Sequence, residues 1–288
     1  MAACLTILLS ACGAPTPEVI FVLAGQSNAV GNRLGSAVTA VPPVSDQASD
    51  VLIWYETGSA HAPTQSHDWE TLGSLLQRAA YWAGPELGIA EYLAKLSERR
   101  IGIVKVAFEG TELAQTDRMD WHPDSKGELY ARLLQNVRKA LIDDSRPHRK
   151  CLAGIFWIQG ESDAKSSGPG FTLPQPYAAD SYKTNLEHLI SRLRTDLQVA
   201  ELPVFVAALN TPEQDAIGRR FDFADTIKAA QSTVATALPR VYLVATEGLA
   251  MASDRLHYSR PGQRMLGVRL GRAVEEAGTG WLQSDCVD

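Results

Sequence analysis

The sequence predicts an α/β sandwich with right-handed crossovers. Short runs rich in β-branched and aromatic residues alternate with helical stretches, the signature of strands joined by helices that pack on a sheet. Several of those runs are apolar almost throughout, as expected for parallel strands covered on both faces. No linker or internal repeat divides the chain, so one domain over residues 17–288 is the economical reading, preceded by a distinct segment over 1–16.

The elements follow in order. Val19–Ala24 (VIFVLA) and Val51–Tyr55 are the first strand candidates. Glu86–Arg99 is a helix candidate because Leu87, Ala90, Leu93, Ala94 and Leu96 fall near one stripe. Ile101–Phe108 is the next strand, and Leu129–Ile142 repeats the helical pattern with Leu133, Leu134, Val137 and Leu141. Leu152–Ile158 and Val204–Leu209 complete five strands, with Val241–Ala245 a weaker sixth. Tyr177–Leu197 and Phe221–Ala237 are less cleanly periodic helices, and a last helix starts after Pro261 and runs to about Ala277. Segments 56–84 and 164–175 read as long loops of the kind that wall a site.

The 288 residues are 45% hydrophobic and 21% charged, an ordinary globular balance. A net charge of −6 and the lack of any Lys/Arg-rich stretch argue against nucleic acid as a partner. No apolar run reaches the roughly 20 residues that span a bilayer. The N-terminal MAACLTILLSAC is short and apolar without a positive leader. Its Leu9-Ser10-Ala11-Cys12 is similar to a bacterial lipobox, in which Cys12 carries lipid and the following Pro/Thr-containing stretch serves as a tether. That implies a periplasmic or cell-surface lipoprotein attached to the membrane only through Cys12. If the segment is not a signal, the chain is cytoplasmic. With Cys4 removed and Cys12 lipidated, Cys151 and Cys286 remain for a pairing that the sequence does not itself establish. No CxxC or Cys/His cluster suggests a metal site, and no obligate protein partner is evident.

Four polar motifs sit after strand candidates or in a late loop, so all can face the crevice beyond the carboxyl ends of the strands. Ser27, in AGQSNAVG, is either the cap of the next helix or a nucleophile backed by helix N-terminal N–H donors. It lacks the G-x-S-x-G elbow and any phosphate-loop pattern. Gly110, in AFEGTEL, allows close backbone approach to a ligand or is a simple loop glycine. In FWIQGESDA, Gln159 can donate an amide to an oxyanion, and Glu161 or Asp163 can orient a histidine or bind a polar substrate. The same residues also suit a solvated first turn of a helix. In ASDRLHYSRPGQ, Asp254 stands three residues before His257, within reach of Nδ1 on a tight turn. That would leave Nε2 to take a serine proton, although a lone D-x-x-H also arises by chance.

Their order resembles one family. GQSNAVG at 25–31, EGTEL at 109–113, WIQGESD at 157–163 and DRLHYSRPGQ at 254–263 resemble the SGNH (GDSL-like) hydrolases, in the branch of sialate O-acetylesterases and carbohydrate esterase family 6 acetylxylan esterases. GPELGIAEYLA at 84–94 and ELYARLLQNVRKAL at 128–141 are similar to that branch as well. The resemblance implies a three-layer α/β/α, flavodoxin-like fold around a central, mostly parallel five-stranded sheet. It implies hydrolysis of O-acetyl esters on sugars, with Ser27 as nucleophile, His257 as base and Asp254 or Glu161 as the acid behind it. It places the oxyanion hole at the Ser27 and Gly110 N–H groups and Gln159, and makes Gln26, Asn28 and Glu161 candidates for substrate contact. No cofactor is implied, and the partner is an acetylated carbohydrate. Two positions depart from the branch: Ala29 stands where Met is usual, and Glu109 where a small residue is expected. The rival readings are another ester substrate (sialate, a second polysaccharide or lipid) and a non-catalytic carbohydrate-binding protein on the same fold. In the latter, Trp54, Trp69, Trp82, Trp121 or Trp157 would serve as sugar platforms. His61 and His67, in the first long loop, are left without a role.

Overall fold

A computed structural model describes residues 16–33, 43–125, 128–142, 151–168 and 177–278. Cys12 with its lipobox, Cys286, and residues 169–176 of the second long loop lie outside the described residues.

In chain order the elements are β1 (Val19–Gly25), α1 (Ser27–Val30), β2 (Asn32–Arg33), α2 (Asp46–Ser49), β3 (Leu52–Ser59), β4 (Ala62–Gln65), β5 (Glu70–Thr71) and α3 (Leu72–Leu75). They continue with β6 (Trp82–Ala83), α4 (Glu86–Leu93), β7 (Ile101–Phe108), α5 (Leu129–Leu141), β8 (Cys151–Ile158) and α6 (Glu161–Ala164). The last five are α7 (Tyr177–Asp196), β9 (Val204–Ala207), α8 (Ala224–Ala237), β10 (Val241–Val244) and α9 (Arg260–Glu276).

The fully apolar runs form a central, mostly parallel sheet in the order β10-β9-β8-β1-β7-β3-β4, with β5 also pairing β3. All seven residues of β1 are buried, because helices cover both sides. One face packs against Leu133 and Val137 of α5, Leu186 and Leu189 of α7, and Ile227 and Val234 of α8. The other packs against Leu87 and Ile89 of α4 and Leu266 and Leu270 of α9. The chain is therefore a three-layer α/β/α sandwich.

Three expectations need correction. The sheet has six parallel strands rather than five, because Val241–Val244 joins the edge beside β9. The first strand lies between the third and fourth parallel strands, β7 and β8, whereas a flavodoxin-like order places it between the second and third. The segment 56–84 is also not a plain loop. It completes β3, turns through the antiparallel β3–β4 hairpin and then supplies β5, α3 and β6.

α4 and α9 cross at two glycines. A Cβ on Gly88 would lie 1.9 Å from Arg264 O, and one on Gly267 would lie 1.9 Å from Pro85 O. That contact fixes α9, whose N-terminus follows the His257 loop directly. Beneath it, Lys105 of β7 is fully buried and pairs with Glu86 Oε2 at 2.9 Å. Lys105 Nζ also donates to Trp82 O at 2.6 Å, while Glu86 Oε1 accepts from Tyr81 Oη and Gly84 N.

Candidate active site

β1, β7 and β8 run in register, with Gly25 opposite both Ala107 and Ile158. Their carboxyl ends deliver Ser27, Gly110 and Gln159 to one rim. Gly25 has φ +138, and a Cβ there would sit 1.9 Å from Ile158 O, so only glycine lets β1 leave the sheet this close to β8. Gln26 then turns the chain, and Ser27 becomes the first residue of α1. Its hydroxyl does not cap the helix: no side-chain cap bond is made at this N-terminus.

Instead Ser27 Oγ lies 2.9 Å from His257 Nε2. His257 Nδ1 lies 2.5 Å from Asp254 Oδ2, while Asp254 Oδ1 accepts the backbone N–H groups of Leu256 and His257. Burial acts to raise the Asp254 carboxyl. The bonds from the His257 backbone and ring and from Leu256 outweigh it, and the net position is below the ordinary aspartate value. The His257 and Asp254 side chains are about one-third exposed, so the site opens to solvent.

Neither Ser27 N–H nor Gly110 N–H has an acceptor among the described residues. Gly110 is exposed at φ +65, in the turn where Glu109 N donates to Gly58 O. The Glu109 side chain is exposed.

Gln159 does not serve as the third donor expected of it. It is 2% exposed, and its amide nitrogen already faces Gln26 Oε1, Thr111 O and Asp163 Oδ2 at 3.2, 3.1 and 2.6 Å. Two amide hydrogens are committed among three internal acceptors.

The substrate-contact candidates are likewise turned inward. Gln26 Oε1 accepts from Gln159 Nε2, Gly160 N and Ser162 N. Asn28 Nδ2 donates to Glu161 Oε1 at 2.6 Å. Gln26, Asn28 and Glu161 are 3%, 1% and 6% exposed. Glu161 is not the carboxylate at the His257 ring; Asp254 occupies that place.

The helix-start reading of Glu161-Ser162-Asp163 as solvated also fails, since all four residues of α6 are buried. Burial pushes the Glu161 carboxyl up, against the Asn28 bond, its own backbone N–H and the His257 charge. Burial also pushes Asp163 up, to about 7, against its bonds to Leu113 N, Gln159 Nε2 and Ala114 N. Asp163 thus clamps the loop that carries Gly110, a role with no signature beyond an acid two residues after Glu161.

Of the tryptophans, Trp69, Trp121 and Trp157 are core residues, while Trp54 and Trp82 are partly buried. Trp54 Nε1 is bonded to Asn136. His61 lies at the turn of the β3–β4 hairpin and His67 follows it, both exposed. No group of three or more potential metal ligands occurs among the described residues.

A family model described as carbohydrate esterase, sialic acid-specific acetylesterase matches residues 17–276. A probable carbohydrate esterase of Arabidopsis thaliana is 28% identical over 278 residues, covering 89% of this chain and 90% of that protein. The crystal structure of an Arabidopsis thaliana protein superposes with a TM-score of 0.65 at 25% identity, over 90% of this chain and 98% of the other. A carbohydrate acetylesterase from Xanthomonas citri shares the fold, with a TM-score of 0.61 at 18% identity over 91% of this chain and 56% of that one. On a match that takes in both Ser27 and His257, the chain belongs to the carbohydrate esterase, sialic acid-specific acetylesterase family, and is a carboxylic ester hydrolase.

Proposed function

We propose that this chain is a serine esterase that removes O-acetyl groups from a polysaccharide of the acetylxylan type through an acyl-enzyme. The observation that carries the mechanism is the Ser27 Oγ–His257 Nε2 distance of 2.9 Å, with Asp254 behind the ring. Asp254 holds the Nδ1–H tautomer, which leaves the Nε2 lone pair facing the hydroxyl. His257 takes the Ser27 proton as Oγ attacks the acetyl carbonyl carbon. The carbonyl oxygen gains the electron pair and is held by the Ser27 and Gly110 N–H groups. When the tetrahedral adduct collapses, the C–O bond to the sugar breaks and His257 returns its proton to the departing hydroxyl. Water then repeats the cycle on acetyl-Ser27, releasing acetate. No step calls on a cofactor.

A second reading, a sialate O-acetylesterase, draws on the description of the family model. The separating experiment is acetate release from acetylated xylan, O-acetylated sialic acid and aryl acetates, run beside Ser27→Ala. Xylan preference supports the first reading, and sialate preference replaces it with the second. Turnover that persists in Ser27→Ala removes both.

A further inference from the structure

We propose that Asn28 is a positioning residue of this reaction, braced by Glu161 into a buried strut that sets the spacing between Ser27 and His257. The proposal rests on the esterase reading above and adds to it a device that no relay or oxyanion role accounts for.

Asn28 is the residue next to the nucleophile, and it is 1% exposed. Its side chain reaches both neighbours of His257, some 228 and 230 positions away in sequence. Nδ2 donates to Leu256 O at 3.3 Å, and Oδ1 accepts from Tyr258 N at 3.1 Å. The loop bearing the imidazole is thus hung, on either side of His257, from the side chain that follows Ser27. A further polar link in this direction, Asn32 Nδ2 to Tyr258 O, is long at 3.5 Å.

An asparagine amide can face two ways, and only one fits here. The backbone selects it: Leu256 O can only accept and Tyr258 N–H can only donate, so Nδ2 faces the first and Oδ1 the second. Glu161 Oε1, accepting from Nδ2 at 2.6 Å, braces that orientation. Glu161 is 6% exposed and its Oε2 has no hydrogen-bond partner among the described residues, so the short contact with Asn28 is the side-chain bond this buried carboxyl makes there. A displacement of about 1 Å between reacting groups can cost ~100-fold in rate, which sets the expected size of the effect.

The test uses the full chain carrying Asn28→Ala, Glu161→Gln, Asn28→Asp, or Asn28→Asp with Glu161→Gln, each first shown to melt cooperatively. Two readouts are taken: kcat and KM on an aryl acetate, and the rate of Ser27 labelling by a fluorophosphonate. Asn28→Ala is expected to lower kcat and the labelling rate about 100-fold while KM stays within about threefold. Glu161→Gln keeps an accepting oxygen for Nδ2 and loses about fivefold, an order-of-magnitude value for a weakened but retained hydrogen bond. Asn28→Asp opposes two buried carboxyls and falls as far as Asn28→Ala. The double variant exchanges amide and carboxylate. The amide now at position 161 donates and the carboxylate now at position 28 accepts from it and from Tyr258 N–H, but the bond to Leu256 O is lost, so activity returns only in part, above that of Asn28→Asp alone.

A folded Asn28→Ala with wild-type kcat overturns the strut. So does a Glu161→Gln variant as damaged as Asp254→Asn, because the charge would then act on the chemistry itself. A wild type that neither releases acetate nor labels at Ser27 removes the esterase reading, and the strut falls with it.

Discussion

Ser27 Oγ and His257 Nε2 meet at 2.9 Å although 230 residues separate them in the chain. One sits at the start of α1 and the other on the loop before α9, and both reach the rim formed by the ends of β1, β7 and β8. Replacing Ser27 by alanine is expected to lower acetyl-ester turnover by about three orders of magnitude or more. The melting temperature should stay near wild type, since the hydroxyl caps no helix. Steady-state kinetics beside thermal melts check this.

Asp254 holds the ring, so Asp254→Asn should lower kcat by about 10³–10⁴, the loss expected when the wrong tautomer is stabilised. KM should change little, because the carboxylate lies behind the imidazole rather than on the substrate side.

Activity should fall on acidification, because a protonated His257 has no lone pair for the Ser27 proton. Asp254 stays ionised well into acid, since the bonds it receives hold its carboxyl low. A pH–rate profile with no acid limb would rule out His257 as the base.

Asp163 adds a pH-dependent contribution to stability. Its carboxyl is raised in the fold to about 7, so it favours the folded state most when protonated. That contribution is complete below the unfolded value near 4 and is lost as pH rises to about 7, in total on the order of 4 kcal/mol. Denaturant unfolding of wild type against Asp163→Asn, measured from pH 4 to 7, should show a steeper decline with pH in the wild type. Parallel curves would contradict it.

The Lys105–Glu86 pair predicts an asymmetry. Lys105→Met leaves the Glu86 carboxylate buried without its counter-charge and should cost about 3–5 kcal/mol. Adding Glu86→Gln should recover part of that loss, because the amide oxygen still accepts from Tyr81 or Gly84. Urea titrations of the two variants decide it.

Much of this architecture was legible in the residues. Strands such as VIFVLAG and IGIVKVAF announce burial on both faces by their almost continuous apolar character, broken only by Lys105, and the α5 stripe of Leu133, Leu134 and Val137 points at the core. Ser27 and His257 were legible through the order of four short motifs rather than through any one of them, and the sequence left Asp254 and Glu161 as alternatives for the acid. The β3–β4 hairpin was not legible, since its second strand, Ala62–Gln65, is an exposed edge that includes a proline and has no apolar alternation. Strand order was hidden too, because pairing partners are fixed by contacts far apart in sequence. The inward roles of Gln26, Asn28, Gln159 and Asp163 were missed for a related reason. A polar side chain near a nucleophile reads as a substrate contact until its acceptors, supplied by distant loops, are known.

The central position of β1 bears on how the protein is made. Val19–Gly25 is the first strand of the sheet to be synthesised, yet its two neighbours begin only at Ile101 and Cys151. Until the ribosome has produced both, a wholly apolar ribbon with two open edges must wait without pairing elsewhere. The nascent chain is therefore most prone to self-association early in translation. Hydrolytic competence comes last, when the segment around residue 257 emerges.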